Sequence, residues 1–417
     1  MNDAIPQSYA LATPLGTSSR NAAPEPAKDT LTLTVGQQNL TGWQRVSVTR
    51  PLAAIPASFD VEVTERYPLV PDIDIEPGAP CTVQIGADLV ITGYVDRYQA
   101  SITPGSHSIR ISGRSKSCDL VDCSALVSNT AIGSEIKEGL QVTAGNALGI
   151  ITKLAAEYNV TVQSTAGDGV YIPQFNIMLG ETVWEIIDRL SRTSEMLVYD
   201  LPDGTLMLST PGAGQMASGF AFGQNIESAD VTLSMDGRYQ EYEGHLLSNM
   251  AMGTDAGPDL PGVGEVIRDD GVPRFRKRYI ISEQFWMGEP LAGKRAIWEK
   301  NRRWGQSYAI NLICDSWRDS AGKLWEPNYL ATVQAAPLKV PNANWCIASV
   351  NYTRDESGQH SNITLMPKEA FYVEPTVPDM LVTVGDVNAY NATKNNPPPT
   401  PEESHFKPIG VAATQTR

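Results

Sequence analysis

Long apolar runs are missing from this chain, and the longest fall far short of the roughly 18 residues that a membrane span requires. No transmembrane helix is expected. Cysteine is sparse: Cys81, Cys118, Cys123, Cys314 and Cys346 form an odd set scattered over 417 residues. A disulfide-stapled secreted module would carry a dense, even set instead, so these read as reduced thiols in a cytosolic setting. Cys118 and Cys123 have a C-x4-C spacing, but no second pair and no nearby histidine accompanies them, so no metal site is expected. Positive charge is also short, with 32 basic residues against 47 acidic ones, a net charge of −15 and a pI near 4.8. That field disfavours general nucleic-acid binding. The opening stretch MNDAIPQSYALATPLG has neither a basic n-region nor an apolar h-region, so a secretory signal is not expected.

Catalytic signatures are absent too. There is no phosphate-binding GxxxxGK[ST] loop, no GxSxG elbow and no HExxH, and His107, His245, His360 and His405 show no paired ligand spacing. Gly212-Ala-Gly214 with Ala217 fits the loosest dinucleotide fingerprint. Pro211 before it and the strand-like Phe220-Ala-Phe222 after it leave no helix N-terminus to receive a pyrophosphate. No catalytic residue, cofactor or metal is therefore assigned.

What is present is globular: 41% of residues are hydrophobic, too many for a disordered chain, and the length favours several domains. Residues 1–28, rich in Ala, Pro, Ser and Thr, read as an N-terminal arm. From Leu31 the pattern alternates with period two: Leu31–Val35, Phe59–Val63, Cys81–Ile85 and Ile109–Ile111. Such alternation predicts antiparallel strands with one buried face, and the Gly and Pro punctuation between them predicts turns. Residues 29–124 thus read as a first β-barrel.

Near residue 143 the period becomes helical. Thr143 is the expected N-cap, and Ala144, Ala147, Leu148, Ile151, Leu154, Ala155 and Tyr158 share one face. A strand at Val160–Val162 follows, then a helix from Glu181 with Val183, Ile186, Ile187 and Leu190 on its apolar stripe. Leu197–Tyr199, an Asp203-Gly204 turn and Leu206–Leu208 complete a hairpin. Residues 125–211 form a small α/β module. Gly212, Gly214 and Gly219 read as a linker. Alternation resumes at Ala229–Met235, and Met252 to Pro273 reads as a long loop. A helix at about Pro290–Trp304 and strands at Ile310–Cys314, Ala331–Ala335, Cys346–Tyr352 and Ile363–Leu365 complete a second β-barrel over residues 212–372. Residues 373–417, with Asn396-Pro-Pro-Pro-Thr-Pro401, read as a Pro-rich C-terminal arm. Gly105-Ser-His-Ser108 before Ile109–Ile111 parallels Gly358-Gln-His-Ser361 before Ile363–Leu365, as if one barrel were present twice.

Two constellations carry charge. Asp72, Asp74 and Glu76 alternate on an extended segment. They could hold calcium or supply an acid and a base, but an EF-hand glycine and its later glutamate are missing, and edge carboxylates also block unwanted strand pairing. The densest basic cluster is Arg274, Arg276, Lys277 and Arg278, continued by Lys294, Arg295, Lys300, Arg302 and Arg303 with Trp298 and Trp304 interleaved. On a helix, Ala296, Ile297 and Trp304 would face a core and the charges would lie outward. An acidic neighbouring subunit suits Arg274, Arg276, Lys277, Arg278, Lys294, Arg295, Arg302 and Arg303 better than DNA does.

The order of barrel, small α/β insert and second barrel resembles the baseplate hub proteins of Mu-type phage tails, the tail protein P group, which are related to the hub part of type VI secretion spike proteins. The stretches that carry the likeness are Leu31–Arg50 with Ile91–Asp96, Leu179–Leu190 with Met196–Leu206, and Trp345–Val350, Asp355–Gly358 and Leu365–Phe371. The resemblance covers about residues 30–372. It implies a mainly β fold with an α+β insert and a homotrimer whose barrels form a pseudo-sixfold ring. The ring would join a tail tube protein to a spike protein, contact other baseplate or wedge proteins, and pass DNA through its channel without specific binding or a membrane contact; from composition, an acidic interior would repel the phosphate backbone. The virion tail baseplate, assembled in the host cytoplasm, is the implied location, and no enzymatic activity is implied. Two other readings stay open at this point: a tail-associated cell-wall glycan hydrolase using a pair such as Asp72 and Glu76, and the hub of a non-contractile tail.

Overall fold

The computed structural model describes residues 29–64, 75–103, 106–125, 141–247, 263–283, 291–341 and 343–376. The arm expected at 1–28 and nearly all of that at 373–417 lie outside these residues, as do Asp72 and Asp74.

The first module contains β1 (Leu31–Val35), β2 (Gln38–Leu40), β3 (Arg45–Pro51), β4 (Ser58–Thr64), β5 (Pro80–Ile85), β6 (Asp88–Thr103), β7 (Ser106–Ser115) and the short helix α1 (Cys118–Asp122). The period-two reading holds: Leu31, Leu33 and Val35 are buried while Thr32 and Thr34 are half-buried, and Cys81, Val83 and Ile85 repeat the pattern. Antiparallel pairing gives the order β2-β1-β5-β6-β7-β4-β3. Strands β6 and β7 approach closely at Gly93, where an added Cβ would lie 1.8 Å from the Arg114 carbonyl oxygen, so only glycine fits.

The middle module contains β8 (Gln141–Asn146), α2 (Ala147–Ala156), β9 (Val162–Ser164), β10 (Tyr171–Asn176), α3 (Val183–Thr193), β11 (Leu197–Asp200) and β12 (Leu206–Ser209). The first helix starts later than the sequence suggested. Residues 141–146 pair with β10, and Asn146, not Thr143, is the cap, its side chain accepting from the Gly149 N–H at 2.7 Å. Strand pairing takes the backbone that would have formed the first turn. In α3 the expected stripe of Val183, Ile186, Ile187 and Leu190 is fully buried. Thr182 and Glu185 form a reciprocal capping box at its start. The Asp203-Gly204 hairpin forms as expected, with Asp203 accepting from the Thr205 N–H. Asp200, 4% exposed, ties this module to the first, accepting from the Ala57 N–H and Ser117 hydroxyl at 3.0 Å and from the Ser115 hydroxyl.

The last module contains β13 (Gly214–Gln215), β14 (Phe220–Ala221), β15 (Ile226–Leu233), β16 (Glu241–Leu247), β17 (Val263–Arg268), β18 (Lys277–Glu283), α4 (Leu291–Gln306), β19 (Tyr308–Cys314), β20 (Tyr329–Gln334), β21 (Asn344–Asp355) and β22 (Gly358–Met366). Two expectations change here. The glycine-rich linker forms β13 and β14, which run parallel to β20. Gly214 and Gly219 permit the approach, because an added Cβ would lie 2.3 Å from the Tyr329 ring or 2.1 Å from the Thr332 carbonyl oxygen. Within the expected 252–273 loop, residues 252–262 lie outside the described residues and Val263–Arg268 is strand β17, which pairs with β16 and, with parallel β18, makes a three-stranded sheet covered on one face by α4.

The fold is mainly β with few helices, but the described pairings close neither outer module into a barrel of its own. Strand β21 is the reason. Its first residues, Asn344–Cys346, pair with β20; past an irregularity between Ile347 and Ser349, residues 349–354 pair with β3 of the first module. The open edge of each module is thereby satisfied by the other. The resulting path runs β15-β19-β22-β21-β3-β4-β7-β6-β5-β1-β2 through one sheet. One hydrophobic core follows it, from Leu33 and Val83 to Trp317 and Trp325. Arg318 pins the same junction: it is 8% exposed, pairs with Asp29 at 2.8 Å and Asp88 at 2.5 Å, and donates to the Ile85 carbonyl at 3.1 Å.

Candidate subunit interface and polar sheet face

Alternation along the fused sheet leaves a second face for the polar partners of the core. Val46, Val48, Phe59, Val61, Ile109, Ile111, Val350, Tyr352, Ile363, Leu365, Ile310 and Leu312 are buried on one side. The intervening residues on the other side are mostly hydroxyl and amide groups joined across strands. Ser47 donates to Asn351 at 3.1 Å, Asn362 to Thr353 at 3.3 Å, Thr364 to Asn311 at 3.0 Å, and Asn311 to Asp230 at 3.1 Å. Two cations on this face are neutralised by neighbours, Arg45 on β3 by Glu62 at 3.4 Å and Arg110 on β7 by Asp60 at 2.8 Å. The result is one wide polar surface shared by both outer modules.

The structure divides the predicted basic cluster into groups. Three guanidinium groups gather round one aromatic ring: Arg276, Arg278 and Arg303 lie 4.9, 5.6 and 5.4 Å from the centroid of Tyr239. Arg278 and Arg303 share the Glu299 carboxylate at 2.8 and 2.6 Å, while Arg276 donates to the Met235 and Asp236 carbonyls. Three cations thus face one carboxylate. Beneath them the pair Arg238–Asp269 is buried, with bonds of 3.0 and 2.9 Å. Lys277 lies on the face of the three-stranded sheet opposite α4, 2.5 Å from Glu243, and its ammonium holds that carboxyl below its ordinary range. Tyr279 and Ile281, at 59% and 60% exposed, share that face.

Helix α4 does not present all its charges outward. Ala292 and Ala296 are buried against the sheet, whereas Ile297 is exposed and Trp304 is half-buried beside Tyr308. Arg295 and Arg302 turn to the outgoing chain, donating to the Pro375 and Tyr372 carbonyls at 3.0 and 2.8 Å; the Trp298 indole also donates to Tyr372. Close passage of residues 368–371 requires Gly305, where an added Cβ would lie 2.3 Å from the Ala370 nitrogen. Lys294 and Arg274 are exposed, the latter next to Phe275 at 72% exposure. The sequence reading missed Tyr239 and Glu299, because only the fold brings them to the arginines. The i,i+4 spacing of Glu299 and Arg303 was the available signal.

The remaining candidates are dispersed. Glu76 is exposed, while its partners Asp72 and Asp74 lie outside the described residues, as does His405. His245 is 3.2 Å from Glu243, and His360 is 2.8 Å from Glu227. All five cysteines are unpaired. Burial pushes the Cys81, Cys118 and Cys346 thiols up to about 12 and the Cys314 thiol up to about 11. Among the described residues, no three His, Cys, Asp or Glu side chains converge on a metal position.

Successive segments of the chain match known tail families. Residues 30–115 match the N-terminal part of the Mu phage baseplate assembly protein GpP-like family, 117–210 the second domain of the baseplate hub protein gp44-like family, and 289–374 the fourth domain of the Mu phage baseplate assembly protein GpP. Baseplate hub protein gp44 of Escherichia phage Mu is 29% identical over 353 residues, spanning 83% of this chain and 89% of the relative. Among solved structures, the 43 kDa tail protein of prophage MuSo2 from Shewanella oneidensis superposes with a TM-score of 0.71 at 26% identity, covering 83% of this chain and 100% of that one. The E. coli c3393 protein, described as a component of the type VI secretion system, shares the fold at a TM-score of 0.52 and 10% identity, covering 83% of this chain and 80% of that one.

Proposed function

From a chain that belongs to the Mu phage baseplate hub family, and is therefore a structural component of a phage tail baseplate rather than an enzyme, we propose the following mechanism. The chain assembles as a homotrimeric, pseudo-sixfold ring that joins the tail tube to the spike, and its fused sheet lines the axial channel. The observation that carries this reading is the pairing of β21 with β3, which gives both outer modules a common polar face. Two sheet-bearing modules per chain supply two wedges, and a closed cyclic arrangement terminates itself. The organisation proposed is an N-terminal arm (1–28), two sheet modules (29–124 and 212–372) flanking an α/β module (125–211), and a C-terminal arm (373–417).

The chemistry of the polar face suits passage of DNA. Serine, threonine and asparagine side chains already bonded to one another offer phosphates little reason to stick, and Arg45 and Arg110 are held by carboxylates. The pairing of Arg45 and Arg110 brings the face closer to neutral than the acidic lumen expected from composition, so sliding would rest on held cations and mutually bonded polar groups rather than on repulsion. The arginine cluster at Tyr239, with Arg274 and Phe275, would meet an acidic neighbouring subunit or baseplate protein. Assembly in the host cytoplasm is part of the same proposal.

The test is cysteine placement in assembled particles. Thr353→Cys, on the polar face, is introduced together with Cys123→Ser, which removes the one accessible native thiol, and is coupled to a bulky polyethylene-glycol maleimide before assembly. If Thr353 faces the channel, labelled particles adsorb normally but fail to deliver DNA, and reconstruction of the tail places the residue on the ring axis side. Normal delivery by fully labelled particles would overturn the assignment.

A further inference from the structure

A cavity of about 470 Å³ lies where all three modules meet. Arg50 comes to it from β3, Tyr199 and Met207 from the middle module, and Lys323, Glu326 and Tyr329 from the last module. Arg50 occupies an inward position of its strand, in register with Val350 and in series with Val46 and Val48, where alternation calls for an apolar residue. Its side chain is 6% exposed, and its carboxylate neighbour Glu326 is 3.9 Å away, beyond hydrogen-bond length. The Tyr352 hydroxyl interacts with the guanidinium while itself donating to the Trp325 carbonyl. A guanidinium carries five donors, and among the described residues no carboxylate lies within hydrogen-bond distance of this one at the cavity it lines.

The other charges grade from inside to outside. Lys323 is 44% exposed, its ammonium 2.8 Å from Glu326 and 3.8 Å from the centre of the Tyr329 ring. Glu326 is therefore committed to Lys323 and only distantly to Arg50. Two cations and one carboxylate leave the cavity one negative charge short of balance. Its walls are largely aromatic or apolar, from Tyr199, Tyr329 and Met207.

We propose that this cavity is a binding site for a carboxylate borne on an apolar or aryl body, the carboxylate seating against Arg50 and the body between Tyr199, Tyr329 and Met207. Both a free small molecule and a carboxylate on a partner polypeptide present this chemistry. A bound carboxylate would balance the site and give the buried guanidinium the planar acceptor that fits it. Because its ligand bridges all three modules, occupancy would stiffen their mutual arrangement. The inference does not depend on ring formation or on the lining of the channel.

The experiment is calorimetric titration of the full-length protein with benzoate, benzamide, inorganic phosphate, and a short peptide ending in phenylalanine as either the free acid or the amide. Benzoate is expected to bind at least about tenfold more tightly than benzamide, in line with a charge-assisted bond to a buried cation. Tighter binding of the acid peptide than of benzoate, with loss on amidation, supports a polypeptide source; binding of benzoate alone supports a free ligand. Arg50→Met is expected to abolish the benzoate preference. Because Arg50→Met risks the fold, Lys323→Met at the cavity mouth provides the second variant, expected to keep the fold and weaken benzoate about threefold or more. Equal affinity for benzoate and benzamide, preference for phosphate, or absence of carboxylate binding to the folded protein overturns the proposal.

Discussion

The buried pair Arg238–Asp269 allows a sharp energetic test of how the arginine cluster is supported. The two side chains are 4% and 7% exposed and meet through two bonds, of 3.0 and 2.9 Å. Removing one partner strands the other charge away from water. Arg238→Met leaves Asp269 with the Gly271 N–H at 3.1 Å as its remaining hydrogen bond. Asp269→Leu leaves Arg238 beside the Tyr308 hydroxyl. Each single change is expected to cost about 3–5 kcal/mol. The double change removes both charges and leaves mainly the Gly271 N–H to be satisfied, a loss of about 1–2 kcal/mol. Urea titration gives the global values, and hydrogen exchange over 235–283 shows whether the loss is local, as it should be in a chain of several modules. The reasoning is refuted if the double variant is as unstable as the two single losses added together, since additivity would mean that the two charges do not compensate each other.

Thiol labelling and a surface variant extend the tests. At pH 7.5, Cys81, Cys118, Cys314 and Cys346 are buried with thiols pushed up to between about 11 and 12, so the reactive thiolate stays scarce until the pH rises towards those values. Native protein should therefore react with a maleimide at no more than one site, the less buried Cys123, and prompt labelling of a second cysteine would contradict the burial. Arg274→Glu combined with Phe275→Ser alters two exposed residues and should change stability by no more than about 0.5 kcal/mol while reducing ring formation in sedimentation. Unchanged assembly would remove that surface from the interface.

Much of the fold can be read locally. Period-two alternation identifies β1, β5 and β7 because each strand buries one face, and α3 is marked by its apolar stripe and capping box. The Asp203-Gly204 turn is equally local, since residue chemistry and turn geometry lie within a few positions. Strands β16 to β18 were harder to recognise because their sheet mixes charged residues with apolar ones: Glu241, Glu243 and Lys277 alternate towards the face that α4 does not cover. Gly214 and Gly219 suggested freedom where the structure uses them for close backbone approach.

By itself, the sequence determined a mainly β chain with a helical insert, its family resemblance, and the location of its basic cluster. Tertiary structure alone decided that the outer modules share one sheet, because β3 and β21 meet across a separation such as the 304 residues between Ser47 and Asn351. It also decided that Arg276, Arg278 and Arg303 surround Tyr239 while Arg295 and Arg302 hold the outgoing chain, and that Arg50 reaches a cavity at the junction. Patterns set by the backbone repeat within a few residues and leave a trace in composition. The pairing of distant strand edges and the partners of a long charged side chain depend on which surfaces are still unsatisfied once those elements have formed.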